Sequence, residues 1–189
     1  MNRKTLLDML NCYTPYNVEE EKDLQLIKDF IINNPNCYSR DNIIAHVTVS
    51  SWIVNQNKTK VLMIYHNIYN SWSWTGGHAD NDEDLLNVSI KEAKEETGLE
   101  NIKVLSNDIF SLEVLTVDGH YKKNKYVNSH LHLNITYLLE ANDNDYIKPK
   151  LDENKAVKWI EIDNVKKEVR EEWMMNHIYQ KLSDKVKNL

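Results

Sequence analysis

The most constraining feature of this sequence is an acidic segment that lies between two glycine-containing turns. It comprises residues 76–99 and reads GGHADNDEDLLNVSIKEAKEETGL. The segment predicts a helix that begins near Asp82 or Glu83 and ends at Thr97-Gly98, where glycine can adopt the left-handed conformation that terminates helices. Residues three and four positions apart share one face of such a helix. Several carboxylates are therefore expected on a single helical face.

The carboxylates of Glu92, Glu95 and Glu96 converge on that face. Like charges at this spacing destabilise a helix by roughly 0.2–0.5 kcal/mol per pair, and a divalent cation would turn this cost into binding energy. Magnesium suits the role because it takes one or two carboxylates, keeps several waters and accepts phosphate oxygens. Gly77 allows close approach of the backbone and can offer a carbonyl to the same ion. A solvated acidic helix is the alternative for an ordinary run of charge.

The full spacing of the segment distinguishes these alternatives. From Gly77 to Leu99 it reads glycine, five residues, glutamate, seven residues, Lys-Glu-Ala, one residue, Glu-Glu, one residue, Gly-Leu. This pattern closely resembles the signature of the Nudix hydrolase superfamily of MutT-like proteins. Lys91 stands where the family has arginine. The resemblance implies that Lys91 braces Glu83, although lysine lacks the bidentate fork of a guanidinium.

Strands are predicted on both sides of this central helix. Alternating apolar and polar residues predict a half-buried strand in AHVTVSSWIV, residues 45–54, and another strand at residues 128–139. Further strands are predicted at residues 60–66, 71–75, 110–117 and 156–162, with helical residues from Asp163 onward. This order predicts an α+β domain with a mixed sheet. The resemblance implies the Nudix fold, an α/β/α sandwich in which the acidic segment forms a loop, a helix and a loop.

Residues 1–42 predict an N-terminal helical extension ahead of a Nudix hydrolase domain at residues 43–189. Asn17 and Glu20 are spaced as in a capping box, apolar residues follow at helical spacing, and Asn34-Pro35 ends the segment. The apolar side of this helix must be covered by another surface. Either the main domain or the second subunit of a homodimer could cover this apolar side.

Composition excludes several classes of protein. A chain of 189 residues with a formal net charge of -6 fits one globular domain and argues against extended contact with nucleic acid. Apolar runs are too short for a membrane span, and the N-terminal MNRKTLLDML lacks the features of a secretory signal. We therefore expect a cytoplasmic protein with no membrane partner. Cys12 and Cys37 lack metal-ligand spacing and are expected to be free thiols.

The resemblance also implies a reaction and its residues. Nudix hydrolases cleave a nucleoside diphosphate linked to another moiety, with water attacking phosphorus in the presence of Mg²⁺ or Mn²⁺. Carried over by position, the metal ligands are Gly77, Glu92, Glu95 and Glu96, and the candidate catalytic carboxylates are Glu92, Glu95 and Glu153. Glu153 precedes the late tryptophan-containing strand, where several relatives place a carboxylate, and an exposed loop acid is the alternative.

Polar stripes on two predicted strands suggest a substrate groove. One stripe comprises His46, Thr48 and Ser50, and the other comprises His130, His132 and Asn134. If the strands are neighbours, the imidazoles of His46, His130 and His132 could meet phosphates or sugar hydroxyls, whereas a solvated outer sheet face is the alternative. Trp74 could stack on a base, or pack in the core. Glu113 is expected to face solvent.

Two other functions share this fold. A nucleotide-sensing or protein-interaction module would keep the fold without turnover, and the complete set of glutamates argues against it. Isopentenyl diphosphate isomerase needs a cysteine within the fold, whereas Cys12 and Cys37 precede the first core strand. The second moiety of the substrate stays open, because the motifs that mark relatives specific for ADP-ribose, NADH or coenzyme A are absent.

Overall fold

The computed structural model describes residues 3–122 and 124–189. The helices in these residues are α1 (Arg3–Cys12), α2 (Val18–Asn33), α3 (Leu85–Thr97), α4 (Val165–Glu168), α5 (Glu172–Met174) and α6 (Gln180–Lys187). A 3-10 turn at Ile162–Asn164 precedes α4, and a π-helical turn at Met175–Tyr179 joins α5 to α6. The strands are β1 (Ala45–Val54), β2 (Lys60–His66), β3 (Ser71–Ser73), β4 (Thr75–His78), β5 (Lys103–Val104), β6 (Ser111–Val117), β7 (His120–Lys122), β8 (Lys125–Val127), β9 (His130–Glu140) and β10 (Asn154–Glu161).

One mixed sheet organises the molecule. Its central path runs β10, β2, β1, β9 and β5, with β3 beside β2, β4 beside β1 and β6 beside β9. The long strands β1 and β9 are parallel neighbours, whereas β2, β4 and β6 pair antiparallel to them. Strands β7 and β8 form a separate hairpin. Helices cover both faces of the sheet, which confirms the predicted α/β/α sandwich with a mixed sheet.

Strand β1 is buried along its whole length, so the prediction of a half-buried strand is wrong. Val47 and Val49 belong to a core that the N-terminal helices and α3 cover. Trp52 and Val54 belong to a second core under the C-terminal helical segment, where Trp52 stacks on Tyr179 at 5.7 Å between ring centroids. Alternate residues of this strand therefore face two different cores, and neither set faces solvent, because helices pack on both sides of the sheet.

The N-terminal helices pack against the same sheet. Leu6 and Leu10 of α1 and Ile27 and Ile31 of α2 have no exposed side-chain surface, and they share a core with β1 and β9. The apolar side of α2 is thus covered within the chain. Both cysteines are free thiols, as predicted. Within residues 3–122 and 124–189, no helix is both long and apolar enough to cross a membrane.

The start of α2 protects the edge strand β6. Asn17 caps the helix as predicted, since its side chain accepts the Glu20 N–H at 2.8 Å. The Glu20 carboxylate accepts the N–H of Tyr16, one residue before the N-cap, at 2.5 Å, and its other oxygen accepts the Leu112 N–H at 3.1 Å. Asp23 accepts the Val114 N–H at 3.0 Å in the same way. Two edge donors of β6 are therefore satisfied by side chains of α2, which prevents pairing of this edge with another strand.

A buried ion pair joins the N-terminal helix to the C-terminal one. Lys181 of α6 places its Nζ 3.1 Å from carboxylate oxygens of both Glu20 and Glu113, and it donates to the Leu112 carbonyl at 3.0 Å. Burial acts to raise the pKa of Glu20, but the charges of Lys181 and Lys185 and two backbone hydrogen bonds hold this pKa below its ordinary value. The two ends of the chain are therefore coupled electrostatically through the sheet edge.

Candidate active site

Helix α3 carries the acidic residues of the site. It starts at Leu85 after the N-cap Asp84, whose side chain accepts the Asn87 N–H at 3.4 Å, so the predicted start was two to three residues early. It ends at Thr97, and Gly98 takes the left-handed conformation with φ 72°, as predicted. The helix contacts β1 and β4, and this packing brings its glutamates beside the glycine turn.

The glycine pair lies directly against two of the glutamates. The Gly76 N–H donates to Glu96 Oε2 at 3.0 Å. A Cβ placed on Gly77 would lie 2.5 Å from the carboxyl carbon of Glu92, so any larger residue here would displace the Glu92 carboxylate. Both glycines belong to β4, although the sequence assigned them to a turn. The absence of side chains at this point is what lets α3 bring its carboxylates against the sheet.

The carboxylates of this site are crowded and partly withdrawn from water. Burial raises the pKa of Glu96 to about 8; the Gly76 N–H opposes this shift, and the charges of Glu153 and Glu92 add to it. Burial also raises the pKa of Glu92, with Glu95 and Glu153 as the next contributions. Four carboxylates therefore act on one another here, and a cation among them would relieve this repulsion.

Lys150 ties the Glu153 loop to α3, and sequence reasoning missed it. Its Nζ lies 2.9 Å from Glu153 Oε1 and 3.3 Å from Glu95 Oε2. The hydrogen bond to Glu153 is the main reason that the pKa of Lys150 is raised. Asn154 adds a second link, because its Nδ2 donates to the Glu96 carbonyl at 3.0 Å. The Lys-x-x-Glu spacing of Lys150 and Glu153 was visible in the sequence, but the approach to Glu95 was not.

The ion pair expected between Lys91 and Glu83 is not formed among the described residues. The Lys91 Nζ instead lies 3.9 Å from Glu95, one helical turn further on, and its side chain is exposed. Glu83 is also exposed and precedes the first residue of α3. Because Glu83 lies outside the helix, helical spacing does not bring it to Lys91. An exposed pair such as Lys91 and Glu95 contributes little to stability.

A groove of about 520 Å³ opens beside the carboxylates. Gly77 and Glu96 line it at one side, Thr48, Ser50 and Asn134 line its floor, and the C-terminal segment 171–174 closes it from above. The register of the parallel pair places Thr48 opposite Asn134 and His46 opposite His132. The two predicted polar stripes are therefore neighbours on one sheet face, and they do not form a solvated outer surface.

A buried hydrogen-bond network holds the groove floor. The hydroxyls of Thr48 and Ser50 donate to Asn134 Oδ1 at 3.1 and 3.0 Å. Asn134 Nδ2 and the Thr136 hydroxyl both donate to Glu113 Oε2 at 2.8 Å. The expectation that Glu113 faces solvent is wrong, because this side chain is fully buried. The Lys181 Nζ lies 3.1 Å from Glu113 Oε1 and compensates the charge of this carboxylate.

Aromatic side chains line the groove opposite its floor. Trp74 is 8% exposed and packs edge to face on Tyr179 at 5.5 Å between centroids, so it belongs to the core and also reaches the groove. Tyr69 and Trp173 are half exposed and line the same groove. These two residues were not predicted from the sequence. Each lies in a loop or a short helix, where the local sequence does not indicate which distant residues it will contact.

Three of the predicted substrate-binding residues lie together at one end of the groove. The His46 ring centroid is 4.9 Å from that of His130 and 5.1 Å from that of His132. His132 lines the groove, whereas His46 is almost completely buried beneath it. His78 of β4 packs against His132 with 4.9 Å between centroids. The sheet register therefore gathers four histidines, although their spacing in the sequence does not indicate it.

The fold and the acidic helix define a family. A model of the NUDIX domain matches residues 45–182, and the chain therefore belongs to the Nudix family. Its class is that of the Nudix hydrolases, which act on phosphoric anhydrides. The comparison confirms the resemblance in the acidic segment, and the family match begins at the first residue of β1.

Several solved structures share this fold. An Ap4A hydrolase binary complex from C. elegans has 20% identity and a TM-score of 0.55, covering 76% of this chain and 98% of that chain. A NUDIX family hydrolase from Clostridium perfringens has 23% identity and a TM-score of 0.54, covering 76% and 97%. The E. coli dihydroneopterin triphosphate pyrophosphohydrolase has 17% identity and a TM-score of 0.54, covering 76% and 96%. At these identities the likeness is one of fold, and no curated protein matches the chain significantly.

Proposed function

We propose that this protein is a metal-dependent pyrophosphohydrolase that cleaves a nucleoside diphosphate linked to another moiety. The observation that carries the proposal is the convergence of carboxylates from two distant segments beside a groove. Glu92, Glu95 and Glu96 come from α3, and Glu153 comes from the loop before β10. Because Glu96 and Gly77 also line the groove, a diphosphate bound there would lie against the carboxylates.

The donor set fits Mg²⁺, with Mn²⁺ as the alternative. Its candidate ligands are the carboxylates of Glu92, Glu95 and Glu96 and the carbonyl of Gly77, all of them hard oxygen donors. Burial is the main reason that the pKa values of Glu92 and Glu96 are raised, and the charges of neighbouring glutamates add to both shifts. When bound, the cation would neutralise diphosphate charge and lower the pKa of a bound water. The glycine at position 77 keeps Glu92 close enough to β4 to share an ion with the backbone.

The proposed chemistry also needs a base that takes a proton from the attacking water. Glu153, Glu92 and Glu95 are the candidates, and Lys150 positions two of them by contacting Glu153 and Glu95 together. We propose Glu153 for this role, because it lies on a separate loop and is not one of the proposed metal ligands on α3. Lys150 acts as a positioning residue in this scheme. A base must lie within hydrogen-bond reach of its proton donor, and the Lys150 contact restricts the Glu153 loop accordingly.

The groove supports a nucleotide-like substrate. Trp74, Tyr69 and Trp173 offer aromatic faces to a base, and His132 lines the same groove with the rings of His46 and His130 packed beside it. Two solved structures with this fold, those of an Ap4A hydrolase and a dihydroneopterin triphosphate pyrophosphohydrolase, are consistent with this class of substrate. We further propose a cytoplasmic location. A homodimer is not needed to cover α2 and would have to use another surface.

Turnover on a substrate panel tests the proposal. Dinucleoside polyphosphates, nucleotide sugars and nucleoside triphosphates would be incubated with the full-length protein and Mg²⁺ or Mn²⁺, and the products would be separated by chromatography. We expect metal-dependent cleavage within the phosphate chain of at least one class, with ¹⁸O from labelled water appearing in one phosphate product. Saturable nucleotide binding without turnover under all conditions would contradict the proposal and favour the alternative, a nucleotide-sensing or protein-interaction module.

A further inference from the structure

The histidine cluster at the groove end, composed of His46, His130 and His132, has a geometry that the proposed hydrolysis does not require. One ring nitrogen from each of the three lies within 4.8 Å of those of the other two. The carboxylates of α3 are not part of this group. His46 comes from β1, and His130 and His132 come from β9, so the parallel pairing of two long strands creates the cluster. The adjacent His78 ring packs against it from β4.

Backbone carbonyls orient two of the three rings. His46 Nδ1 lies 3.2 Å from the Asn42 carbonyl oxygen, and His130 Nδ1 lies 2.9 Å from the Asn128 carbonyl oxygen. A carbonyl can only accept, so each Nδ1 carries the proton and each neutral ring keeps its lone pair on Nε2. A backbone carbonyl on the far nitrogen is the arrangement that holds metal-binding histidines in place.

Of the remaining Nε2 atoms, those of His130 and His132 contact each other, whereas that of His46 faces no hydrogen-bonding group among the described residues. His46 is 3% exposed, and its buried Nε2 has no hydrogen-bond partner among the described residues. Buried polar atoms in proteins are nearly always satisfied, and each exception requires an explanation. His130 Nε2 lies 3.3 Å from His132 Nε2. Two nitrogens that bind one tetrahedral zinc ion at about 2.0–2.1 Å are separated by about 3.3–3.4 Å, so this spacing matches a shared ion.

Burial favours the neutral form of His46 and His132. Burial lowers the pKa of His132 to about 2, with further contributions from His78, His46 and His130. Burial is also the main reason that the pKa of His46 is lowered. A neutral imidazole is the form that binds metal ions, whereas three charged rings at this spacing would repel one another.

We propose that His46, His130 and His132 form a binding site for a late first-row divalent transition metal, with Zn²⁺ as the test ion. Imidazole nitrogens suit zinc, copper and nickel, whereas the oxygen donors of α3 suit magnesium and manganese. Three protein ligands leave a fourth position on the ion. Since His132 lines the groove, the ion lies at the groove end and links β1 to β9 there. This site is separate from the carboxylate site and does not depend on hydrolysis.

Metal binding by the full-length protein tests this proposal without measuring activity. The chelator-treated protein would be titrated with Zn²⁺ in competition with a chromogenic chelator, and with Co²⁺ while visible absorption is recorded. We expect one Zn²⁺ per chain and the intense visible bands of tetrahedral Co²⁺. The variants His46→Ala and His132→Ala should each lose at least about 100-fold in affinity, because removal of a ligand costs more than loss of an outer-shell contact.

Two matched controls separate this site from other metal binding. His177→Ala removes an exposed histidine that contacts Glu19 outside the cluster, and it should keep wild-type zinc affinity. A double variant that carries Glu92→Gln and Glu96→Gln should also keep wild-type zinc affinity, even if the proposed hydrolysis does not occur. The proposal is overturned if zinc affinity falls in the glutamate variant and not in the histidine variants.

The proposal can still be tested if the buried His46→Ala variant does not fold. His130 is only half buried, so His130→Gln gives a second ligand variant, and circular dichroism identifies the variants that fold. The wild-type cobalt spectrum is independent of every substitution. A lack of tetrahedral cobalt bands, or stoichiometric titration showing no zinc bound, would refute the site directly.

Discussion

Gly77 lies so close to Glu92 that a Cβ on the glycine would be 2.5 Å from the carboxyl carbon of the glutamate. The relationship joins a strand to a helix through a contact that only glycine permits. Gly77 does not have a positive φ, unlike Gly98, so its requirement is for space and not for an unusual backbone conformation. A substitution at position 77 therefore acts on the position of the Glu92 carboxylate.

Gly77→Ala should lower metal-dependent turnover strongly while changing stability little. The added methyl group displaces Glu92, and misplacement of a metal-binding carboxylate by about 1 Å can cost about 100-fold in rate. Gly98→Ala is the matched comparison, because its φ of 72° imposes strain of about 1–2 kcal/mol without touching a glutamate. Turnover rates and urea unfolding of both variants would separate the effects. Equal loss of activity in both would contradict this assignment.

Glu92→Gln and Glu96→Gln should each reduce turnover by about 100-fold or more, because each removes a negatively charged ligand of the proposed cation. The fold should persist, since glutamine keeps the shape of the side chain. Metal titration of the residual activity would show whether affinity or rate is lost. Glu100→Gln, an exposed position just beyond α3, serves as the control. Full activity in both site variants would mean that α3 does not carry the reaction.

Lys150→Met should lower the maximal rate by about 10-fold while strengthening metal binding. The substitution releases the Glu153 loop from Glu95, and it also removes a positive charge that competes with the cation for these carboxylates. The metal dependence of the rate measures both effects at once. Lys155→Met changes an exposed lysine in the same region and should leave the rate unaltered. Weaker metal binding in Lys150→Met would contradict this role.

Lys181→Met should destabilise the protein by about 3–5 kcal/mol, since it leaves the Glu113 carboxylate buried without its cation and leaves Glu20 with only Lys185, at 3.9 Å. Lys187 lies on the same helix as Lys181 and forms an exposed ion pair with Asp163. Lys187→Met should therefore cost less than about 1 kcal/mol of stability. Urea unfolding at pH 7 checks both values. A comparable small loss in the two variants would show that the buried pair contributes no more than the surface pair.

Glu20 should make the protein sensitive to acid. Its pKa is held below its ordinary value of 4.5, so the folded state favours the ionised form. The stability that this provides is fully present above pH 4.5 and is lost as the pH falls through the folded-state pKa. Glu20→Gln should therefore flatten the fall in stability below pH 4.5, which denaturant unfolding across pH 3–7 would measure. An unchanged slope would assign the acid sensitivity to other groups.

Much of the acidic helix could be predicted because its determinants are local. The spacing of Glu92, Glu95 and Glu96 determines their common face, and Gly98 determines where the helix ends. Lys91 shows the limit of this reasoning. The resemblance implies that it pairs with Glu83, but Glu83 lies ahead of the helix, which begins at Leu85, and the Lys91 Nζ instead lies 3.9 Å from Glu95.

The sequence by itself determined the family, the acidic helix and the alternation of polar residues along β1 and β9, because each rests on short-range spacing. Only the tertiary structure decided that Glu113 is buried beneath the groove, that Lys150 joins two catalytic candidates, and that histidines from three strands meet. Those contacts depend on strand register and on helix packing across the sheet. Such long-range pairing is set by the burial of two cores at once, and periodicity within one strand carries no record of it.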